Sequence, residues 1–219
     1  MNVSQEDYIK AIFKLQERSK EEFVSTNSIA KELGMAAASV TEMIKKLTKK
    51  NLVNYVKYQG VQLSKEGNTV ALKIIRKHRL WEVFLFEKLG FNWDEVHEIA
   101  EQLEHIQSPE LTNKLDAFLG FPDKDPHGDP IPDHNGNLKK SEQVLLASLG
   151  ENAQGVFAGL IDSSDDFLKY LDEIKLPLGT KLKVIRKFPF DNSVEIKINN
   201  KKLLPLSSQV AMNLKINEN

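Results

Sequence analysis

The sequence predicts a mainly α-helical chain that ends in a small β domain. Three observations predict it. Short amphipathic helices joined by a tight turn lead into a hairpin pattern, a central stretch keeps helical spacing, and the last third turns to short alternating runs. A length of 219 residues alone suggests one or two domains, and these changes of pattern divide the chain into three parts. The parts are a winged helix-turn-helix over residues 1–73, a helical region with a Pro-rich arm over 74–140, and an SH3-like β-barrel over 141–219.

Each element has a local cause. Ser4 and Asp7 have capping-box spacing and open a helix whose apolar positions are Tyr8, Ile9, Ile12, Phe13 and Leu15. Ser25-Thr26-Asn27 caps a second helix, Ser28–Leu33, which Gly34 ends by tolerating a left-handed backbone. A third helix, Ala37–Leu47, turns Val40, Ile44 and Leu47 inward. Leu52–Tyr58, a Gln59-Gly60 turn and Val61–Leu63 alternate with period two, as a small wing does. Helix, turn, helix, hairpin is the order of a DNA-binding winged helix. Glu66–Leu89 reads as one long helix, Phe91–Asp94 starts the next, and Ser108-Pro109 closes that one and opens another. Phe121–Asn137 holds Pro122, Pro126, Gly128, Pro130, Pro132 and Gly136 and is expected to be irregular. The last third offers a helix around Phe167–Ile174, then strands at 181–186, 194–198, 202–204 and 211–216.

Composition removes several functions. No run of about 18 apolar residues is present. The polar, acidic start is unlike a secretory signal, and the absence of cysteine excludes disulfides and thiolate metal ligands. A cytoplasmic protein with no membrane partner is expected. Charge is unevenly placed: nine bases between Ala37 and Lys77 face only Glu42 and Glu66, whereas the following segment to about Asp133 is acidic. A basic block beside an acidic one separates a polyanion-binding surface from a cation-binding one.

The acidic part carries the chemistry. At about 100° per residue, His97, Glu101, Glu104 and His105 fall on one side of a helix, with Val96, Ile99, Leu103 and Ile106 on the other. His78 and Glu82 share a second face at i, i+4. Three of the 5 histidines lie in these two segments, too concentrated for a random solvated face. Imidazoles and carboxylates on one stripe form a divalent-cation site, held by oxygen and nitrogen alone. His127 and His134, in the Pro/Gly-rich segment, look more structural than ligating. On the third helix Ala37, Ala38, Ser39, Thr41, Glu42, Lys45 and Lys46 are the expected DNA-facing residues: small and hydroxylated side chains meet thymine methyls and phosphates, and lysines supply the salt-dependent term. No Arg or Asn stands there for a bidentate base contact, which leaves part of the discrimination to DNA shape.

Asp7-Tyr8, Ser39-Val40-Thr41, Arg76–Glu82, Val96–His105 and Pro126–Pro132 occur together and in order. With these motifs the whole chain resembles the metal-dependent repressors of the diphtheria toxin repressor and manganese transport regulator family, in their three-domain form, whose third domain is FeoA-like. The resemblance implies a primary metal site of Asp7, Glu101, Glu104 and His105. It implies a second site of His78, Glu82 and His97, completed by an acidic residue of the third domain; Asp162 is the first choice, ahead of Asp165 and Asp166. Iron-responsive members carry sulfur where this chain has Asp7 and Glu101, so the ligand set points to Mn²⁺, with Fe²⁺ admitted and Zn²⁺ or Cd²⁺ as substitutes. Short two-domain manganese regulators place a ligand Glu where this chain has Lys10, so a closely spaced pair of ions is not expected here.

The expected function is a homodimeric, Mn²⁺-activated repressor that binds a double-stranded operator and controls metal uptake genes. Metal would hold the two recognition helices about 34 Å apart, the spacing of successive major grooves. Three alternatives differ: an iron-responsive repressor of the same fold, a metal-dependent hydrolase, and a regulator answering a small organic ligand. The hydrolase lacks a visible nucleophile or general acid, and no organic ligand is expected.

Overall fold

The protein is described by a computed structural model over residues 2–19, 21–139, 142–199 and 201–218. It forms two compact units. The first comprises Met1–Trp81, Ala100–Gly120 and Pro132–Leu138; the second comprises Glu82–Ile99, Phe121–Ile131 and Lys139–Asn219.

In the first unit, helices α1 (Val3–Ser19), α2 (Thr26–Leu33) and α3 (Ala37–Lys49) precede strands β1 (Val53–Val56) and β2 (Gly60–Leu63), which pair antiparallel. The helix α4 (Lys65–Leu89) and the short α5 (Val96–Leu103) contribute residues to both units, and α6 (Pro109–Phe118) belongs to the first. Ile9, Ile12 and Phe13 of α1, Ile29 of α2, Val40, Ile44 and Leu47 of α3 and Ile74 and Ile75 of α4 share one buried core with Val53 and Val61. The inward face of α3 is the one its spacing predicts. Helix α1, however, is capped by Asn2 and not Ser4: the Gln5 amide donates to Asn2 Oδ1 at 3.1 Å, two residues nearer the start. Ser25 and Gly34 cap α2 as expected, and Gly34 takes φ 62°. The wing turns over Lys57–Gln59, and Gly60 already belongs to β2. Val24 pairs with Val61 there, and a Cβ on Gly60 would stand 2.4 Å from the Val24 carbonyl oxygen. Only glycine allows that approach.

The second unit is built on an antiparallel sheet of order β3-β8-β4-β5-β6-β7. Its strands are β3 (Val144–Leu145), β4 (Gln154–Leu160), β5 (Lys181–Lys187), β6 (Val194–Ile198), β7 (Lys202–Leu206) and β8 (Leu214–Glu218), with α7 (Asp165–Ile174) and α8 (Ser208–Ala211) between. Phe157, Leu168, Leu171, Leu182, Val184, Ile196, Leu214 and Ile216 fill its core. The expected strand at 211–216 begins only at Leu214. Ser207 Oγ accepts the Val210 amide and starts α8, so Ala211 is helical. Strand β4 is unmarked in the sequence because it contains Gly155 and Gly159. A Cβ on Gly155 would meet the Asn217 oxygen of β8 at 2.5 Å, so the neighbouring strand requires this glycine. The winged helix-turn-helix, the helical middle and the SH3-like β domain are thus all present. No helix among the described residues is long and apolar enough to cross a membrane.

Candidate functional site

Helix α5 stops at Leu103, so the predicted stripe is not carried on one helix throughout. The Glu104 amide still donates to the Ala100 carbonyl at 2.9 Å, and Glu104 and His105 occupy the turn that follows. In the first unit this turn meets α1. Asp7, Glu104 and His105 each place a ligand atom within 4.8 Å of the others.

The imidazole is oriented by a residue that sequence reasoning missed. His105 Nδ1 lies 2.9 Å from Glu6 Oε2, and Glu6 Oε1 accepts from Gln107 Nε2 at 2.8 Å. A carboxylate only accepts, so Nδ1 donates to it and Nε2 is the ring nitrogen left for a ligand. That nitrogen faces Asp7 Oδ1 at 3.3 Å. Two acceptors at this distance repel unless a cation or a proton lies between them. Glu104 is fully buried at 0% exposure, and its Oε1 has no hydrogen-bond partner among the described residues. An orphaned buried carboxylate oxygen beside a second carboxylate and an imidazole nitrogen fits a divalent cation that takes oxygen and nitrogen ligands. Burial raises the Asp7 carboxyl above its ordinary value; His105 opposes this and Glu101 and Glu104 add to it.

Glu101, the fourth expected ligand, is held from another side. Lys10 on α1 is 3% exposed and donates from Nζ to Glu101 Oε1 at 2.6 Å and Glu104 Oε2 at 2.5 Å. His78 Nδ1 stands 3.0 Å from the same Nζ and 2.6 Å from Glu104 Oε2. Burial acts to raise the Glu101 carboxyl, but the charge and hydrogen bond of Lys10 outweigh it and hold it down at about 2. Glu6 and Lys10 share a face with Ile9 and Phe13 at helical spacing, which is the signal that placed both in the interior.

The second unit holds its own cluster. Glu82 and His97 meet there, His97 Nδ1 lying 3.2 Å from Glu82 Oε1. Glu82, Asp125 and His127, all buried, bring ligand atoms within 4.8 Å of one another. His127 Nε2 is 2.7 Å from the Trp93 carbonyl oxygen, so Nε2 donates and neutral His127 presents Nδ1, 3.8 Å from Glu82 Oε1. Asp125 Oδ1 accepts the amides of His127 and Asp129, both at 2.9 Å, which fixes the loop. Asp162 is exposed on the loop after β4 and accepts from the Ser164 amide at 2.9 Å. Asp165 and Asp166 occupy the first turn of α7, where the helix dipole favours them. His78 belongs to the first unit and the other three expected second-site residues to the second.

The expected DNA-facing residues form one exposed surface. Ala37, Ala38, Ser39, Thr41, Glu42, Lys45 and Lys46 are all exposed along α3, opposite Val40, Ile44 and Leu47. Lys45 Nζ donates to Glu42 Oε1 at 3.0 Å, and Thr41 Oγ1 donates to the Ala37 carbonyl at 3.0 Å. The wing tip adds Lys57 and Tyr58, the latter 92% exposed, with the lysine 4.8 Å over its ring.

Known protein families match the chain domain by domain. Residues 2–61 match the iron dependent repressor N-terminal DNA binding domain, 64–133 the iron dependent repressor metal binding and dimerisation domain, and 144–218 the FeoA domain. A solved structure described as a manganese-dependent transcriptional repressor in complex with manganese has a TM-score of 0.90 to this chain at 35% identity, covering 98% of this chain and 99% of that one. The iron-dependent repressor IdeR of Mycobacterium tuberculosis is 29% identical over 127 residues, 58% of this chain and 54% of its own length. A probable metal transport system membrane protein of Chlamydia trachomatis is 44% identical over 86 residues, 39% of this chain but 19% of that protein. The match thus spans about half or less of these two curated relatives' own length. With matches to all three domains and a relative covered over its full length, the chain belongs to the diphtheria toxin repressor and iron-dependent repressor family of metal-dependent, DNA-binding transcriptional repressors, which are not enzymes.

Proposed function

We propose that this protein is a homodimeric transcriptional repressor that Mn²⁺ activates to bind an operator controlling metal uptake genes. The observation that carries the reading is the meeting of Asp7 with Glu104 and His105 in the unit that also contains the recognition helix. Asp7 lies on α1, whose Ile9, Ile12 and Phe13 pack in the same core as Val40 and Ile44 of α3. A tie between Asp7 and the α5–α6 turn therefore restricts α1, and through the shared core restricts α3. Asp7, Glu101, Glu104 and His105 would hold a divalent ion, which would supply the positive charge that offsets the repulsion among their carboxylates.

Hard oxygen ligands with one imidazole, and no sulfur, support Mn²⁺; Fe²⁺ is admitted and Zn²⁺ or Cd²⁺ are substitutes. The manganese dependence of the solved relative supports the same choice. The stretch shared with a metal transport protein supports the link to metal uptake. For the second site we infer Glu82 with Asp125 and His127, with His97 against Glu82 and Asp162 as the expected further carboxylate. Double-stranded DNA and a second copy of the chain are the proposed partners, with no membrane or small organic ligand, and the proposed location is the cytoplasm.

The test is binding of DNA from upstream of the protein's own gene, followed by gel shift with Mn²⁺, Fe²⁺ or Zn²⁺ added to chelator-treated protein. Retardation should need metal and should be strongest with Mn²⁺ at equal free concentration. Equal retardation in EDTA would remove metal activation from the account.

A further inference from the structure

Lys10 is an unusual residue to find inside a protein. Lysine is almost never fully buried unless paired, and here Lys10 is 3% exposed on the helix face that also carries Glu6, Ile9 and Phe13. Its Nζ has three neighbours from two segments: Glu101 Oε1 at 2.6 Å and Glu104 Oε2 at 2.5 Å from α5 and its following turn, and His78 Nδ1 at 3.0 Å from α4. Two carboxylate oxygens and an imidazole nitrogen around one point are the donors a divalent cation takes. The two oxygens of Glu104 are used differently, Oε2 by the ammonium and His78 Nδ1 and Oε1 by nothing among the described residues.

We propose that Lys10 is a tethered counter-cation that competes with the activating metal ion for Glu101 and Glu104, and so sets the metal concentration at which the protein responds. The inference rests on the metal-site reading above and adds its regulation. Two consequences follow from charge alone. Without metal, the ammonium neutralises carboxylates that would otherwise repel one another in the interior, so the metal-free unit stays folded. With metal, the incoming ion must share those carboxylates with a fixed positive charge a few ångströms away, in a medium where such repulsion is poorly screened. Its affinity is lower than the ligand set alone would give. A sensor needs this property, since a site that fills at trace metal cannot report a change in supply.

Lys10→Met keeps the length of the side chain and removes the charge. Mn²⁺ affinity of the full chain, measured by electron paramagnetic resonance of the free ion, should rise at least tenfold in this variant. Thermal stability should fall without metal and largely return with it. An unchanged or weaker Mn²⁺ affinity in the folded variant overturns the proposal. A merely structural lysine would lower stability without raising affinity. The unaltered protein gives a second, variant-free reading: with ¹⁵N-lysine labelling, the Lys10 Nζ resonance should shift on saturation with diamagnetic Cd²⁺, because the ammonium loses part of its hold on Glu101. A resonance unmoved at saturation also overturns it. Asp7→Ala separates the two levels: if it leaves Mn²⁺ binding intact, the metal-site reading itself is wrong, whereas its loss with an unchanged Lys10→Met affinity removes only the competition.

Discussion

His105 turns Nδ1 to Glu6 Oε2 at 2.9 Å and thereby offers Nε2 to the carboxylate of Asp7 at 3.3 Å. Glu6 is thus a positioning residue that chooses the tautomer without touching the ligand side of the ring. Glu6→Ala should lower Mn²⁺ affinity by about 10- to 100-fold, the usual cost of losing such a partner. Titration of the free-ion resonance signal reads this directly. An affinity within twofold of the unaltered protein would show that His105 is oriented by something else.

His127 is oriented in the same way, by the Trp93 carbonyl at 2.7 Å, and presents its other nitrogen toward Glu82. Removing it with His127→Ala should lower the number of Mn²⁺ ions retained per chain by one in equilibrium dialysis, while Asp7→Ala should remove a different one. If His127→Ala binds as many ions as before, His127 is not a ligand of the second site.

Lys45 and Lys46 lie exposed on α3 beside Ser39 and Thr41. Phosphate contacts release condensed counterions, so each lysine that makes one adds about 0.9 to the slope of log affinity against log salt. The Lys45→Ala, Lys46→Ala double variant should reduce that slope by about 2 and weaken binding equally across operator sequences. Fluorescence anisotropy over a range of salt gives the slope; an unchanged value would place these lysines away from the backbone.

The two shifted carboxyls act in opposite directions with pH. Asp7 is raised by burial, so its proton favours the metal-free folded state, a contribution fully present below 3.8 and lost as pH rises through the folded value. Glu101 is lowered to about 2, so its pairing with Lys10 stabilises above 4.5 and is lost as pH falls toward 2. A metal ion and a proton compete for the Asp7 carboxylate. Mn²⁺ affinity should therefore weaken on acidification from a higher pH than an ordinary aspartate would cause, with proton release seen as a buffer-dependent binding enthalpy. Asp7→Asn should remove that dependence; a dependence that persists in the variant would assign the proton to another ligand.

Most of the fold was legible because it rests on apolar spacing. Val40, Ile44 and Leu47 marked the buried face of α3, and Ser108-Pro109 marked the start of α6. Patterns of this kind say which face is apolar, not which polar groups are drawn inside by partners far along the chain. Glu6 and Lys10 sit on the apolar face of α1, and their burial depends on His105, Gln107, Glu101 and Glu104, about a hundred residues away. His127 reads as structural from its Pro/Gly-rich segment; the tight turn at Asp125–Asp129 sets its ring beside Glu82, a neighbour that composition does not reveal. The 211–216 region failed for a local reason: alternation continued through residues that a serine cap diverts into a helix.

The central claim is that metal at Asp7, Glu104 and His105 strengthens DNA binding. It is tested most directly by measuring both halves of the linkage: operator affinity with and without saturating Mn²⁺, and Mn²⁺ affinity with and without operator. The two ratios must be equal, and each should be on the order of a hundredfold, the factor that corresponds to about 2.7 kcal/mol of coupling. In Glu104→Gln both ratios should fall toward one. Operator affinity that is the same in EDTA as in Mn²⁺ for the unaltered protein would contradict the account.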